Sequence, residues 1–200
     1  MNKIIIVHYE EDPAAIDQFK ILSHRLWDEH ISYTRDGIIS SLSGLENLQT
    51  IIDRLMKNQE DIGQLLAPFY GKDDAETFTK LLKTHIMLAG DIITAIKDSK
   101  STVALETAWN TNAEEIATFL DSLDPDNWPK ETVLAVLKKH LACTLDEVNA
   151  IAKKDWVAGI AAYDACSLVI AQLAYAVATG IVDKFPEAFT MQYTTKSFKR

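Results

Sequence analysis

Apolar residues recur at intervals of three and four along most of the chain. Leu82, Ala89 and Ile93 show this pattern in one segment, and Ile116 and Leu120 show it in the next. Such spacing places the apolar side chains on one face of an α-helix. Glycine, proline, aspartate and serine cluster at the breaks between segments, as they do in turns. The pattern predicts six helices, at residues 14–43, 48–67, 74–97, 102–122, 129–152 and 155–180.

The breaks are short, and short loops between long helices make sequential helices antiparallel. We therefore expect an all-α fold, an antiparallel up-and-down bundle of about six helices built by residues 14–185. Residues 1–13 are expected to form an N-terminal arm and residues 186–200 a C-terminal tail. The segment Ile4–Tyr9 has the composition of a strand, but a lone strand is not stable. It is expected to pack as an arm or to contact another chain.

Three histidines occur in the same sequence setting. The segment LLKTHIMLAGDII at 81–93 has one counterpart before it and one after it, at equal distances along the chain. The three segments contain His30, His85 and His140, which are evenly spaced, and they fall on the first, third and fifth predicted helices. Repetition at a fixed period indicates a duplicated unit, and here the unit is a helical hairpin.

The even-numbered helices also repeat, at nearly the same period. Asn58 and Asp61 recur as Asn112 and Glu115, and Asp164 occupies a related place in the sixth helix, where the match is weak. The residues three and four positions away on the same helical face are mostly apolar, so these polar groups are expected to point inward.

The histidines and the acidic residues are expected to lie at one height. In an antiparallel hairpin, residues equidistant from the turn face each other. The midpoint between each histidine and the acidic residue of an adjoining helix falls at a predicted break. The sequence therefore predicts one internal polar layer, and its six candidate metal ligands are His30, Asp61, His85, Glu115, His140 and Asp164.

Burying these groups is costly unless they are paired, so the layer needs a partner. One option is a metal ion, because bundles build metal sites from histidines and carboxylates on facing helices. The Glu-x-x-His motif of di-iron bundles is absent, which leaves a mononuclear site for Zn, Mn, Ni or Fe. Asn58 and Asn112 would then orient the ligands from outside.

A second option is a small-molecule pocket, and the third is a purely structural network. Aromatic walls with a few polar groups are typical of ligand pockets, and arginine binds carboxylates and phosphates. In the third option the polar groups only bond one another and fix the register of the hairpins. The candidate ligand-binding residues are Trp27, Arg35, Asn58, Trp109 and Asn112.

The composition of the chain limits the classes of partner that it is expected to bind. The net charge of −9 disfavours binding to nucleic acid and to anionic membranes. The sequence contains no run of about 18 apolar residues, so no membrane-spanning helix is expected. Cys143 and Cys166 lie in helical segments outside any CxxC pair, so reduced cysteines in a cytosolic protein are expected, with a single disulfide as the alternative. The apolar last helix is compatible with a homodimer.

The sequence contains no Gly-rich phosphate loop, no GxSxG motif and no HExxH motif, so none of these motifs indicates an enzyme.

Seven ordered segments carry a family resemblance. They are LWDEH with the following YTR at 26–35, DRLMKNQEDIG at 53–63, PFYG at 68–71, LLKTHI at 81–86, WNTNAEEIATFL at 109–120, HLACTLDE at 140–147 and AAYDA at 161–165. Together they resemble an uncharacterised family of small bacterial helical-bundle proteins, over about residues 20–185. The resemblance implies an all-α fold and implies no activity.

The leading expectation is a small cytosolic binding protein that holds a divalent metal or a small ligand at the polar layer. The alternative is a structural or interaction bundle in which that layer is only a buried hydrogen-bond network.

Overall fold

The computed structural model describes the backbone of residues 3–198 and the side chains of residues 9–192. The predicted all-α bundle is confirmed, with a small two-stranded sheet in addition. The elements are β1 (Lys3–Glu11), α1 (Pro13–Ser43), α2 (Leu48–Gly63), α3 (Ala67–Tyr70), α4 (Lys72–Lys97), α5 (Val103–Leu123), α6 (Lys130–Ala152), α7 (Trp156–Lys184), a 3-10 turn (Pro186–Phe189) and β2 (Thr190–Phe198).

The six long helices form a closed ring of three hairpins. Helix α1 packs on α2, α2 on α4, α4 on α5, α5 on α6 and α6 on α7, and α7 returns to pack on α1. Helices α1, α4 and α6 also contact one another. Each hairpin therefore contributes its first long helix to the middle of the bundle, and these are the helices that carry the repeated histidines.

Local sequence explains both ends of α1. The Asp12 carboxylate accepts hydrogen bonds from the backbone N–H groups of Ala14 and Ala15, which otherwise have no partner in a first helical turn. Pro13 suits that turn because its ring fixes φ. Gly44 ends the helix with a φ of 68°, in the left-handed region that glycine adopts without steric cost.

The last helix does not end at Gly180, although the sequence pattern predicts its end at residue 180. Helix α7 continues to Lys184. A Cβ atom at Gly180 would lie 2.4 Å from Nε1 of Trp128. That indole is buried and donates a hydrogen bond to the Ala176 carbonyl oxygen at 3.0 Å. The glycine thus permits close packing of the indole on α7 and is not a helix stop.

The predicted arm and tail pair with each other. Strands β1 and β2 form an antiparallel ribbon that runs from Lys3 opposite Phe198 to Glu11 opposite Thr190. The segment Ile4–Tyr9 is therefore part of a strand, and its partner is the opposite terminus of the same chain. The backbone N–H of Asp12 donates to the Phe189 carbonyl oxygen at 2.7 Å and joins the ribbon to the bundle.

Helix α7 is the most apolar helix. It is long and apolar enough to cross a bilayer, and half of its most apolar window is buried within the structure. Core helices pass the same criterion, so the expectation that the chain has no membrane partner stays a prediction. Exposed apolar side chains remain on this helix, among them Val157, Ile160 and Leu168.

Candidate functional site

The three repeated histidines meet in the centre of the bundle. His30, His85 and His140 project from α1, α4 and α6 and are all buried. The ring centre of His140 lies 5.6 Å from that of His30 and 5.7 Å from that of His85. The part of the predicted layer that the histidines form is therefore present, with His140 between the other two rings.

Burial keeps the three imidazoles neutral. Loss of hydration and the nearby His85 together lower the pKa of His30 to about 3, and the Gln59 side chain opposes that shift. Burial likewise lowers the pKa of His85 to about 4, and Asn112 opposes that shift. The pKa of His140 is well below its usual value because of burial and the two neighbouring histidines. At neutral pH each ring therefore keeps one nitrogen lone pair.

Asn112 fixes the orientation of His85. Its side-chain amide N–H donates to the Leu81 carbonyl oxygen at 3.2 Å, so its Oδ1 faces Nδ1 of His85, 3.1 Å away. Oδ1 can only accept, and His85 therefore carries its proton on Nδ1 and its lone pair on Nε2. This arrangement, in which an outer group accepts from one nitrogen and frees the other, is usual for histidine ligands of metals.

Asn58 makes the equivalent backbone contact one repeat earlier. Its amide N–H donates to the Leu26 carbonyl oxygen at 2.8 Å, and Leu26 precedes His30 by four residues just as Leu81 precedes His85. Gln59 donates to Oδ1 of Asn58 at 3.0 Å. The repeated bond is direct structural support for the duplicated hairpin.

Four polar atoms at this layer are buried without a hydrogen-bond partner. One is Oε1 of Gln59, and the other three are Nδ1 of His30, Nδ1 of His140 and Nε1 of Trp27. The last three residues, together with His85, line a cavity of about 10 Å³ whose other walls are aliphatic or phenyl side chains, Leu173 among them. A cavity of this size holds about one water molecule or one ion, and buried polar atoms without partners call for an explanation.

The three acidic residues do not join the layer, so that part of the prediction is wrong. Asp61 is half-buried and pairs with Lys57 at 3.0 Å. Glu115 and Asp164 are exposed. Asp61 and Glu115 follow the buried asparagines by three residues, a rotation of about 60° from the inward direction, which carries a charged group into solvent.

Arg35 is engaged in an ion pair and is not free to bind a ligand carboxylate or phosphate. Its guanidinium pairs with the buried carboxylate of Glu147 and donates to the Gly159 carbonyl oxygen at 3.3 Å. It also lies over the ring of Tyr163, 4.9 Å from the centre. Burial raises the pKa of Glu147, and Arg35 opposes that shift. These contacts join α1, α6 and α7.

The tryptophans do not form the walls of an organic-ligand pocket. Trp109 is buried, its ring is tilted against that of His85 with 5.1 Å between the ring centres, and its Nε1–H donates to the His85 carbonyl oxygen at 3.2 Å. Trp27 borders the small cavity of the histidine layer. A groove of about 430 Å³, lined by residues such as Met56 and Met87, lies between α1, α2 and α4 and contains none of the predicted ligand-binding residues.

Cys143 and Cys166 form a disulfide between α6 and α7, so the expectation of reduced cysteines is wrong and its alternative holds. The sequence does mark this position. Asn58, Asn112 and Cys166 are evenly spaced along the chain, so Cys166 takes the asparagine position in the third hairpin. Aligning Asp164 with the acidic residues hides this relation.

Glu147 is the other residue that sequence reasoning missed. It lies two helical turns after His140 on α6 and so shares its inward face. The seven-residue spacing from His140 therefore could have predicted that Glu147 points into the bundle.

A comparison of the chain with protein-family models, curated proteins and solved structures found no match. The family resemblance of the sequence therefore stays a prediction. Inference about function rests on the geometry of the histidine layer.

Proposed function

We propose that the protein binds one transition-metal ion at the internal layer formed by His30, His85 and His140. The observation that carries the proposal is that three neutral, buried imidazoles line one cavity large enough for one ion. Their nitrogen atoms do not all lie within 4.8 Å of one another, so the rings must rotate toward the cavity to bind one ion. Two of their Nδ1 atoms lack a partner, and the third ring is held with Nε2 free by Asn112. A binding protein of this kind needs no catalytic group.

The donor set selects the metal. Imidazole nitrogens suit Zn, Ni, Fe and Cu, whereas Mn, Mg and Ca prefer oxygen ligands. The predicted carboxylates face away from the cavity, so Mn is disfavoured among the metals expected from the sequence. Zn²⁺ accepts three or four ligands at about 2.0–2.1 Å from nitrogen, and it is the probe of choice.

The competing function is a structural one, and a specific observation favours it. Asn58 and Asn112 both hold a backbone carbonyl of the preceding histidine helix, which fixes the register of two hairpins. In that reading the cavity holds one water that accepts from Nε1 of Trp27 and bonds the histidines. The two functions differ in whether the layer takes up metal.

Equilibrium dialysis against Zn²⁺ tests the proposal, with the disulfide left intact. Wild-type protein is expected to bind about one zinc per chain, and His85→Ala to bind none at the same free zinc. His24, half-buried and outside the layer, supplies the matched control, and His24→Ala is expected to bind as wild type does. Unfolding of wild type in urea with and without zinc gives a second readout, because a ligand of the folded state raises the midpoint. Absence of binding to wild type, or equal binding to His85→Ala, would contradict the proposal.

A further inference from the structure

The disulfide lies next to the histidine layer. Nitrogen of His140 and the sulfur atoms of Cys143 and Cys166 all lie within 4.8 Å of one another, and all three residues are buried. His140 and Cys143 are three residues apart on α6, and Cys166 faces them from α7. Among the histidine, cysteine, aspartate and glutamate side chains that the structure describes, this is the group of three whose ligand atoms all lie within 4.8 Å of one another.

Two further features of this group suit a metal centre. Nδ1 of His140 is buried and has no hydrogen-bond partner, so it is available as a ligand. The hydroxyl of Thr144 lies 3.5 Å from Sγ of Cys166. Because a disulfide sulfur carries no proton, the hydroxyl is the donor, and it would equally donate to a thiolate.

Charge gives the physical reason for thiolate ligands. Neutral imidazoles do not offset the two positive charges of a divalent cation in a low-dielectric interior, so anionic ligands would strengthen its binding. Asp61, Glu115 and Asp164 lie outside the layer, and the Glu147 carboxylate is paired with Arg35. Two cysteine thiolates would neutralise the ion in place.

We propose that reduction of the Cys143–Cys166 disulfide creates a zinc-type site with His140, Cys143 and Cys166 as ligands. Two molecules of a thiol RSH reduce the disulfide to two cysteine thiols and are themselves oxidised to RSSR. Zn²⁺ then replaces the two thiol protons, which pass to solvent. A disulfide oxidant RSSR reverses the reaction: it re-forms the disulfide, is itself reduced to two RSH and removes the two thiolate ligands from the ion, so thiolate ligation of the metal follows the thiol state. This inference deepens the proposed function and shares one ligand with it, His140.

Two cysteines and one histidine are an established zinc ligand set in which a fourth position stays open. His30 and His85, whose ring centres lie 5.6 Å and 5.7 Å from that of His140, are the candidates to close that position. The histidine layer and the thiol pair would then act on the same ion.

Co²⁺ serves as the spectroscopic probe, because thiolate ligation gives an intense near-ultraviolet charge-transfer band that imidazole ligation alone does not. The full chain is prepared metal-free in two states, one oxidised with glutathione disulfide and one reduced with a phosphine that is then removed. Reduced wild type is expected to bind about one Co²⁺ per chain with this band, and the oxidised protein to lack the band. The double variant Cys143→Ser, Cys166→Ser is expected to lose the band and to bind at least about 10-fold more weakly, whereas reduced His24→Ala keeps both.

A second measurement covers the case in which a variant folds poorly. Zn²⁺ is expected to slow alkylation of both cysteines in reduced wild type by at least about 10-fold, and to protect neither cysteine in His140→Gln.

The outcomes separate the two proposals. Co²⁺ binding by both states without the band would overturn this inference and leave the histidine site standing. Binding with the band in the reduced state alone would support the inference and contradict a site made of histidines only. Absence of binding in either state would refute both.

Discussion

Acid should unfold this protein through its buried histidines. In the unfolded chain a histidine has a pKa near 6.5, whereas the folded pKa is about 3 for His30, about 4 for His85 and well below 6.5 for His140. The unfolded state therefore binds more protons between these values, so stability is complete above pH 6.5 and declines as pH falls toward 4. Three histidines give a slope of about 4 kcal/mol per pH unit near pH 5.5.

The loss is large compared with total stability. From pH 6.5 to pH 5 each histidine removes about 1.6 kcal/mol, or about 5 kcal/mol for the three, against a typical 5–15 kcal/mol for a folded domain. Urea unfolding at a series of pH values, with chelator present to keep metal away, measures the slope directly. Glu147, whose pKa is raised, acts in the opposite sense, so the slope of wild type is compared with that of His85→Leu.

Removing one histidine should lower the slope to about 2.7 kcal/mol per pH unit, whatever the variant does to stability at neutral pH. The slope is the informative quantity, because packing changes alter the intercept. A wild-type slope below about 1.4 kcal/mol per pH unit, or one that His85→Leu leaves unchanged, would refute the claim that the three imidazoles are neutral in the folded protein.

Other perturbations have expected outcomes of their own. Replacing Cys143 and Cys166 by serine should lower the free energy of unfolding in urea by about 3 kcal/mol, because the disulfide closes a loop with a sequence separation of 23 residues; no change would contradict this. Asn112→Ala should cost about 1–3 kcal/mol by leaving a buried carbonyl and an imidazole N–H unpaired, and it should also weaken zinc binding by about 10-fold or more. Gly180→Ala should destabilise the protein by about 1–3 kcal/mol through its clash with the buried indole. At Gly90 an added Cβ meets nothing within 4 Å, so Gly90→Ala should be neutral or stabilising, and equal effects at the two glycines would refute the packing argument.

The bundle and its histidine layer were predictable from the sequence because both are local, periodic signals. The even spacing of His30, His85 and His140 places the three histidines at one height on like helices. The same reasoning failed for the acidic residues. The spacing along the chain sets the height of a residue in the bundle, but it does not set whether the side chain points into the bundle or toward solvent. Asp61 lies near the right height and yet is rotated toward Lys57 and solvent.

The disulfide and the ribbon were harder to predict, for different reasons. The repeat period relates Cys166 to Asn112 but does not show whether two thiols are joined, which depends on their distance in space and on redox conditions. The ribbon depends on pairing between the two ends of the chain, and neither strand is stable alone. The Arg35–Glu147 ion pair likewise joins residues far apart in sequence.

The expected cytosolic location stays a prediction, and the Cys143–Cys166 disulfide bears directly on it. Disulfides persist in oxidising compartments and are rare in the cytosol. A thiol pair that exchanges between disulfide and metal-bound forms would be compatible with a reducing location.

Anomalous X-ray diffraction from crystals grown with Zn²⁺, recorded above and below the zinc edge, would show where the protein binds the metal. A metal site at the histidine layer predicts one strong peak in the cavity between His30, His85 and His140, with imidazole nitrogen atoms at about 2.0–2.1 Å. A map whose zinc peaks lie only on the protein surface, with a water molecule bonded to Nε1 of Trp27 in the cavity, would contradict it and would make the layer a structural network.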